Sequence, residues 1–415
     1  MLKRASLSQL SPQLPAFPKL RSDLDFQLIS HAHRSYYILK DPFQMAEKVF
    51  LFPSEYLAIL RLFDGRHSME DIFAEYEKHI DRASARKFVK FIKNLDRSYL
   101  LETRHYEKQL TRLSRIFHEQ PTRPAAYAGM SYADDRDDLI REIDNYERQI
   151  RHSSPAPVRP AKKIMAIVSP HIDPRLGGAA YASVYRALKG TTTSLFLILG
   201  IAHRGMKNQF ALTDKDFETP LGVVNADQAF IKRLAQKCTI DYFVDELAHR
   251  SEHSIEFQTL FLRHFLNRPF TIVPILCSFL HVLSDKELES FQEFVSALRA
   301  TIAEEKRELI LIAGVDLSHL GPQYGQNQIP DAFLLSQVEA FDRQILDALF
   351  ARDAKRLDLL FEQTNNQYNV CGYPALRTLI ELLPPSTPQI ICYENVPMDE
   401  NRSTVTFAGA LFSTQ

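Results

Sequence analysis

The stretch Ile164-Met165-Ala166-Ile167-Val168-Ser169-Pro170-His171-Ile172-Asp173, followed closely by Gly177-Gly178, decides how this chain folds. An apolar, partly β-branched run bounded by Lys163 and a Ser-Pro turn signal predicts a buried strand, and a histidine follows at once. The pattern recurs twice. Residues 195–199 run into Gly200-Ile201-Ala202-His203, and residues 309–313 run into Gly314-Val315-Asp316-Leu317-Ser318-His319. In open α/β sheets ligands bind outside the carboxyl ends of the strands, so three strands ending in titratable residues predict one shared site.

The bulk properties are compatible with this reading. A chain of 415 residues predicts two or three domains and a sizeable core. A net charge of −1 gives no general argument for nucleic acid or an anionic membrane, and neither is expected as a partner. No apolar run approaches the ~18 residues of a membrane span. The N-terminus, broken by Pro12, Pro15 and Pro18, lacks a signal-peptide core. The four cysteines, Cys238, Cys277, Cys371 and Cys392, have no CxxC spacing, which predicts reduced thiols and a cytoplasmic location.

Residues 1–22 read as a Pro-punctuated, disordered leader. Alternation through Tyr36-Tyr37-Ile38-Leu39 predicts a strand or hairpin, residues 53–63 a helix stopped at Asp64-Gly65, and Ser68-Met69-Glu70-Asp71 a capping-box start to a helix reaching His79. A third helix over 83–95 aligns Phe88, Phe91, Ile92 and Leu95, and Tyr99-Leu100-Leu101-Glu102 reads as a β wing. Residues 23–104 thus predict a winged-helix domain. Arg86, Lys87, Lys90 and Lys93, opposite the apolar stripe, read either as a DNA-recognition face or as a solvated basic face. Through Tyr36-Tyr37-Ile38-Leu39 and residues 56–72, with Leu62-Phe63-Asp64-Gly65, this segment resembles PqqD-like peptide-recognition domains. The resemblance implies that a peptide adds as a strand to the small sheet. Residues 105–121 read as a charged linker and 122–415 as the main domain. Within that domain an amphipathic helix is predicted over 135–150, and a Pro-rich link over 153–160.

Several residues of the main domain could carry chemistry. His171 and His203 hold equivalent positions after successive strands, and neutral imidazole is a good ligand for a borderline transition metal. Asp316 and His319, three apart after a third strand, suit ligand orientation or general acid/base work, although Asp316 or Ser318 could equally cap a helix. In Ser251-Glu252-His253-Ser254-Ile255-Glu256 the spacing puts Glu252 and Glu256 on one helical face, with Ser251 as the expected N-cap. Those carboxylates could be functional or could simply complement the helix dipole. The order and spacing do not match the HExxH zinc motif. Cys371, just before a predicted helix, has a lowered pKa and reads as ligand or nucleophile, or as structural.

Together, Ala128-Gly129 with Tyr132, Ser169-Pro170-His171, Leu199-Gly200-Ile201-Ala202-His203, Thr219-Pro220-Leu221-Gly222, Glu252-His253-Ser254-Ile255-Glu256, Asp316-Leu317-Ser318-His319, Cys371-Gly372 and Ala408-Gly409-Ala410-Leu411 resemble the Memo-like family. That family is the protein B component of AmmeMemoRadiSam systems, and the resemblance runs from about residue 123 to the C-terminus. It implies the fold of class III extradiol dioxygenases, an α/β body with a central mixed sheet flanked by helices. It implies a metal held by His171, His203 and Cys371, with Asp316, His319, His253, Glu252 and Glu256 lining the pocket. Arg204 stands where the family often has a second histidine, and Ile172-Asp173 replaces small and aromatic residues.

Two imidazoles and a thiolate suit Fe(II), Cu or Zn, with Fe(II) the first expectation. Such a site keeps coordination positions open, and His319 or His253 could serve as base or proton donor. The expected function is a redox or dioxygenase-like protein acting on a peptide or small metabolite recruited by the N-terminal domain. Radical SAM and AMMECR-type proteins are its expected partners. Two alternatives belong to other classes: a cysteine hydrolase or amidase with Cys371 as nucleophile, and a non-enzymatic adaptor binding peptide or DNA.

Overall fold

The computed structural model describes residues 15–31, 34–41, 43, 45, 50–80, 84–153 and 162–414. Residues 1–14 of the expected leader and 154–160 of the expected Pro-rich link lie outside the described residues. The chain divides into two compact units, Met1–Phe117 and His118–Gln415.

In the first unit β1 (Asp25–His31) and β2 (Arg34–Lys40) form an antiparallel hairpin, and β3 (Phe50–Pro53) pairs with β2. Among the described residues four helices follow, α1 (Tyr56–Leu60), α2 (Met69–His79), α3 (Ala85–Arg97) and α4 (Arg104–Glu119), the last ending two residues past the unit's boundary. Ser68 and Asp71 make the predicted capping box on α2. The apolar stripe of α3, Phe88, Ile92 and Leu95, is buried with Ile59, Phe63 and Ile72, while Arg86, Lys87 and Lys90 face solvent. Two expectations take a different form. The segment after α3 makes a single bridge, Leu101 with Leu20, in place of a wing hairpin, and most of the expected linker is helical in α4. Lys19 also bridges to Asp64, and Arg21 is buried in ion pairs with Asp23 and Asp41, so the described end of the expected leader packs into this unit.

The second unit is built on a mixed sheet. Its main elements are α5 (Arg136–Ser153), β4 (Ile164–Ser169), α6 (Pro174–Tyr185), β5 (Leu195–Ile201), β6 (Phe210–Leu212), α7 (Gln228–Lys237), α8 (His253–Phe265), β7 (Thr271–Cys277), α9 (Asp285–Glu304), β8 (Leu309–Gly314), α10 (Ala332–Ala351), α11 (Ala354–Thr364), α12 (Tyr373–Leu382), β9 (Thr387–Pro397) and β10 (Thr404–Ser413). Strands β4, β8, β5 and β7 lie side by side in parallel, with β10 antiparallel to β4 at one flank and β6 antiparallel to β7 at the other.

The parallel strands are near-continuous apolar runs because both of their faces are covered. Leu195, Leu197 and Leu199 pack toward α7, α9, α10 and α12, whereas Phe196 and Ile198 pack toward α5, α6 and α8. Register positions the site. Gly314 pairs with Ser169 and Ala313 with Leu199, so the segments leaving β4, β5 and β8 emerge at one edge of the sheet.

Two glycines bring a fourth segment to that edge. A Cβ on Gly200 would stand 2.5 Å from Ile255, and one on Gly314 would stand 2.7 Å from the Ser254 carbonyl. Without side chains at these two points, the start of α8 packs directly on β5 and β8.

Candidate metal centre

His171 is buried at the end of β4, where Asp173 caps α6 and Pro174 opens it. Its Nδ1 donates to the Gly314 carbonyl at 2.9 Å, which fixes the tautomer and leaves Nε2 facing the cavity. Its backbone N–H donates to Asp316 Oδ1 at 2.9 Å, and Ile172 N–H donates to the same oxygen at 3.2 Å. Asp316 therefore organises the His171 turn. No helix begins at Asp316 or Ser318, so the capping alternative does not apply to them. Ser318 Oγ donates to Asp342 at 2.7 Å.

His203, past the end of β5, is held by one carboxylate. Its backbone N–H donates to Glu252 Oε2 at 2.9 Å and its Nδ1 to Oε1 at 3.0 Å, again turning Nε2 toward the cavity, where Cys371 is its partner. Glu252, and not the expected Ser251, caps α8: Oε1 also accepts from His253 N at 2.8 Å and Ser254 N at 3.1 Å. Its extended backbone, φ −92° and ψ 132°, keeps it outside the helix. Glu256 consequently does not share its face. Fully buried, Glu256 pairs with Arg123 and accepts from Ala126 N at 3.1 Å, Tyr127 N at 2.9 Å and the Tyr132 hydroxyl. The expectation that Glu256 lines the pocket gives way to a structural role.

The nitrogen donors of His171, His203 and His253 lie within 4.8 Å of one another. His253, expected beside the ligands, thus offers a nitrogen to the same point, and its ring stacks on His203 at 4.7 Å. Cys371 Sγ lies 3.3 Å from His171 Nε2. It stands just before α12, whose N-cap is Gly372, with Pro374 in the first turn. A Cβ on Gly372 would meet the Asp316 carbonyl at 2.5 Å, so only glycine lets these two loops touch.

The electrostatics suit a charged, soft donor set. Burial would raise the Cys371 thiol, but His171 and His319 nearby draw it down to about 5. Burial opposes charge on His171, yet Asp316 and Cys371 push it up to about 9. Burial likewise opposes charge on His203, which Glu252 raises well above the ordinary imidazole range. Burial, with the cationic His203, His171 and Arg204 nearby, holds His253 well below that range despite Glu252.

His171, His203, His253, Asp316 and Cys371 line a cavity of about 390 Å³ together with His319, Tyr324, Asn369 and Met398, whereas Glu252, expected in the lining, stands behind the histidines it holds. His319 Nδ1 donates to the Leu317 carbonyl at 3.1 Å, and its ring meets Tyr324 edge-on at 4.9 Å. Asn369, in the left-handed region at φ 50°, donates to the carbonyls of His319 and Tyr324 at 3.2 and 3.3 Å.

One supporting residue carried no sequence signal. Arg123, fully buried, donates Nε to the His249 carbonyl and Nη2 to the Glu252 carbonyl, both at 2.7 Å, while pairing with Glu256. It clamps the backbone that presents Glu252 and His253. Arg204, the residue directly after His203, hydrogen-bonds Ser251.

Residues 123–410 match the family described as Memo-like protein. A MEMO1 family protein of Aquifex aeolicus is 26% identical over 381 residues, covering 91% of this chain and 96% of its own length. That extent cannot fit within residues 123–415, so the similarity reaches into the N-terminal unit. A MEMO1 family protein of Methanobrevibacter smithii is 28% identical over 286 residues, covering 66% of this chain and 92% of its own. One from Methanocaldococcus jannaschii is 29% identical over 267 residues, covering 62% and 85%. The mixed sheet flanked by helices agrees with the expected class III extradiol dioxygenase-like fold. Among the described residues no helix is long and apolar enough to cross a membrane.

Proposed function

The chain belongs to the Memo-like protein family, and from that premise we propose that its centre binds one redox-active metal ion, iron(II) ahead of copper or zinc. One observation carries the reading. Nδ1 of His171 and Nδ1 of His203 are each committed to an acceptor, at 2.9 and 3.0 Å, so both Nε2 atoms face a single cavity beside His253 and Cys371. Such outer hydrogen bonds orient imidazole ligands and raise their basicity. His171, His203 and Cys371 would hold the ion, with His253 as a further donor. Bound there, iron would supply one-electron chemistry and open coordination positions.

The protein's own groups do the rest. Asp316 holds the His171 turn, and Glu252 holds His203 and His253 together. His319, with Nδ1 engaged by a carbonyl, keeps Nε2 to give or take a proton at a substrate in the cavity. The reaction class is redox or dioxygenase-like, on a peptide or small metabolite. In this reading the N-terminal unit recruits the peptide at an edge of its three-stranded sheet, and radical SAM and AMMECR-type proteins are its partners.

Metal analysis of anaerobically purified protein tests the centre. About one equivalent of metal is expected, lost in both His171→Ala and Cys371→Ala. Full retention in both variants defeats the reading.

A second reading, a cysteine hydrolase, draws on the 3.3 Å contact between Cys371 Sγ and His171 Nε2. It requires turnover that survives chelation and is lost in Cys371→Ser.

A further inference from the structure

A second and larger chamber, about 850 Å³, opens over the carboxyl ends of β5 and β7. It shares only His203 and Cys371 with the smaller cavity, so those two side chains stand where the chambers meet. The two spaces differ in character. The smaller is walled by His171, Asp316, His319 and Tyr324, whereas Ile240, Tyr242, Phe279, Val370 and Tyr373 give the larger an apolar and aromatic wall. Its volume lies in the range that encloses small organic ligands.

The loop between β7 and α9, residues 278–284, rims this chamber and holds two large apolar side chains out of the core. Leu280 is 75% exposed and Val282 65%. Exposed apolar groups at the mouth of a concave, partly apolar space mark a contact surface for a ligand. The charged rim groups are Lys207, Lys286 and Glu287. Glu287 is already engaged, its Oε2 accepting from Ser284 N at 2.8 Å and from Ser284 Oγ at 2.6 Å in the cap of α9. The two ammonium groups are left to meet the ligand.

We infer that this chamber binds an amphipathic organic anion, its apolar body against the Phe279 side and its anionic group between Lys207 and Lys286. Its other end then reaches His203 and Cys371. The inference rests on the metal-centre reading only for the purpose of that last contact, because the chamber itself is formed by protein groups alone.

The probes are 8-anilinonaphthalene-1-sulfonate and its neutral counterpart N-phenyl-1-naphthylamine, titrated by fluorescence into the full chain without added metal. The expected result is saturable one-to-one binding, about tenfold tighter for the sulfonate at low salt. Lys207→Ala with Lys286→Ala should remove that preference and leave the neutral probe unchanged. Leu280→Ser with Val282→Ser, both on the exposed rim, should weaken both probes. Non-saturable binding, equal affinity for the two probes, or indifference to both double variants overturns the assignment. Metal uptake is measured separately on the same proteins. Normal uptake with no saturable probe binding sinks the chamber alone, and saturable probe binding with no metal uptake sinks the metal reading alone.

Discussion

Glu252 grips His203 with both carboxylate oxygens, one on the backbone N–H at 2.9 Å and one on Nδ1 at 3.0 Å. The same carboxylate caps the helix that begins with His253. Two imidazoles from distant parts of the chain therefore share one anchor. Glu252→Gln should lower metal affinity about 10- to 100-fold while the fold persists, the usual consequence of losing an orienting partner. Isothermal titration with Co(II), alongside circular dichroism, checks this. Unchanged affinity would show that the anchor does not set the geometry.

Arg123 and Glu256 form a fully buried ion pair, and each also serves backbone groups around the site. Arg123→Met leaves the Glu256 carboxylate buried without its cation, which should cost about 3–5 kcal/mol in stability. Glu256→Gln, retaining an acceptor for the Tyr132 hydroxyl, should also destabilise because it leaves Arg123 without its anion. Urea unfolding of the two variants tests the pair, and a loss under ~1 kcal/mol in Arg123→Met would contradict it.

Cys371 carries a thiol drawn down to about 5, against about 9 for an ordinary one. In metal-free protein its alkylation by iodoacetamide should therefore be nearly flat from pH 6 to 8. A normal thiol would gain about tenfold per unit there. His171→Ala removes a stabilising cation and should move the midpoint upward. A rate that climbs steadily through pH 8 in the parent protein would refute the paired thiolate.

Asp342 lies buried under hydroxyls of Ser318, Thr406 and Tyr393. Burial raises its carboxyl to about 6, an effect those hydroxyl donors only partly offset. Between its ordinary value of 3.8 and about 6 the folded protein binds more protons than the unfolded chain. Its contribution to stability is thus greatest at low pH and declines as pH rises through that window, by up to about 3 kcal/mol. Asp342→Asn should remove this decline. The parent's unfolding free energy should fall relative to the variant's as pH rises from 4 to 6, and parallel curves over pH 4 to 7 would rule the idea out.

Gly372 allows the Cys371 loop to touch the Asp316 carbonyl, where an added Cβ would come within 2.5 Å. Gly372→Ala should displace the thiol and reduce metal retention, with the rest of the sheet intact. Metal content after gel filtration measures it, and full retention would mean that the loop yields without moving Cys371.

Much of this protein could be read from local pattern. The apolar runs at 164–168, 195–199 and 309–313 form parallel strands because a buried strand needs little beyond a short apolar segment with a turn after it. His171 and His203 follow from position alone, since residues just past such strands must surface at the sheet's carboxyl edge. The Ser68–Asp71 cap was equally legible, being a contact made within one turn.

Tertiary structure decided the remainder. Helical spacing would put Glu252 and Glu256 on one face, but Glu252 lies outside the helix in extended backbone, so one carboxylate turns to the histidines and the other to Arg123. Neither His253 as a third nitrogen donor nor Arg123 as a clamp is visible in any periodicity. His253 reaches the site because Gly200 and Gly314 admit α8, and Arg123 reaches His249 and Glu252 across more than a hundred residues. Strand identity is set by contacts between near neighbours. The partner of a buried charge is set by which distant segments the packed core forces together, because only there does an unpaired charge become costly.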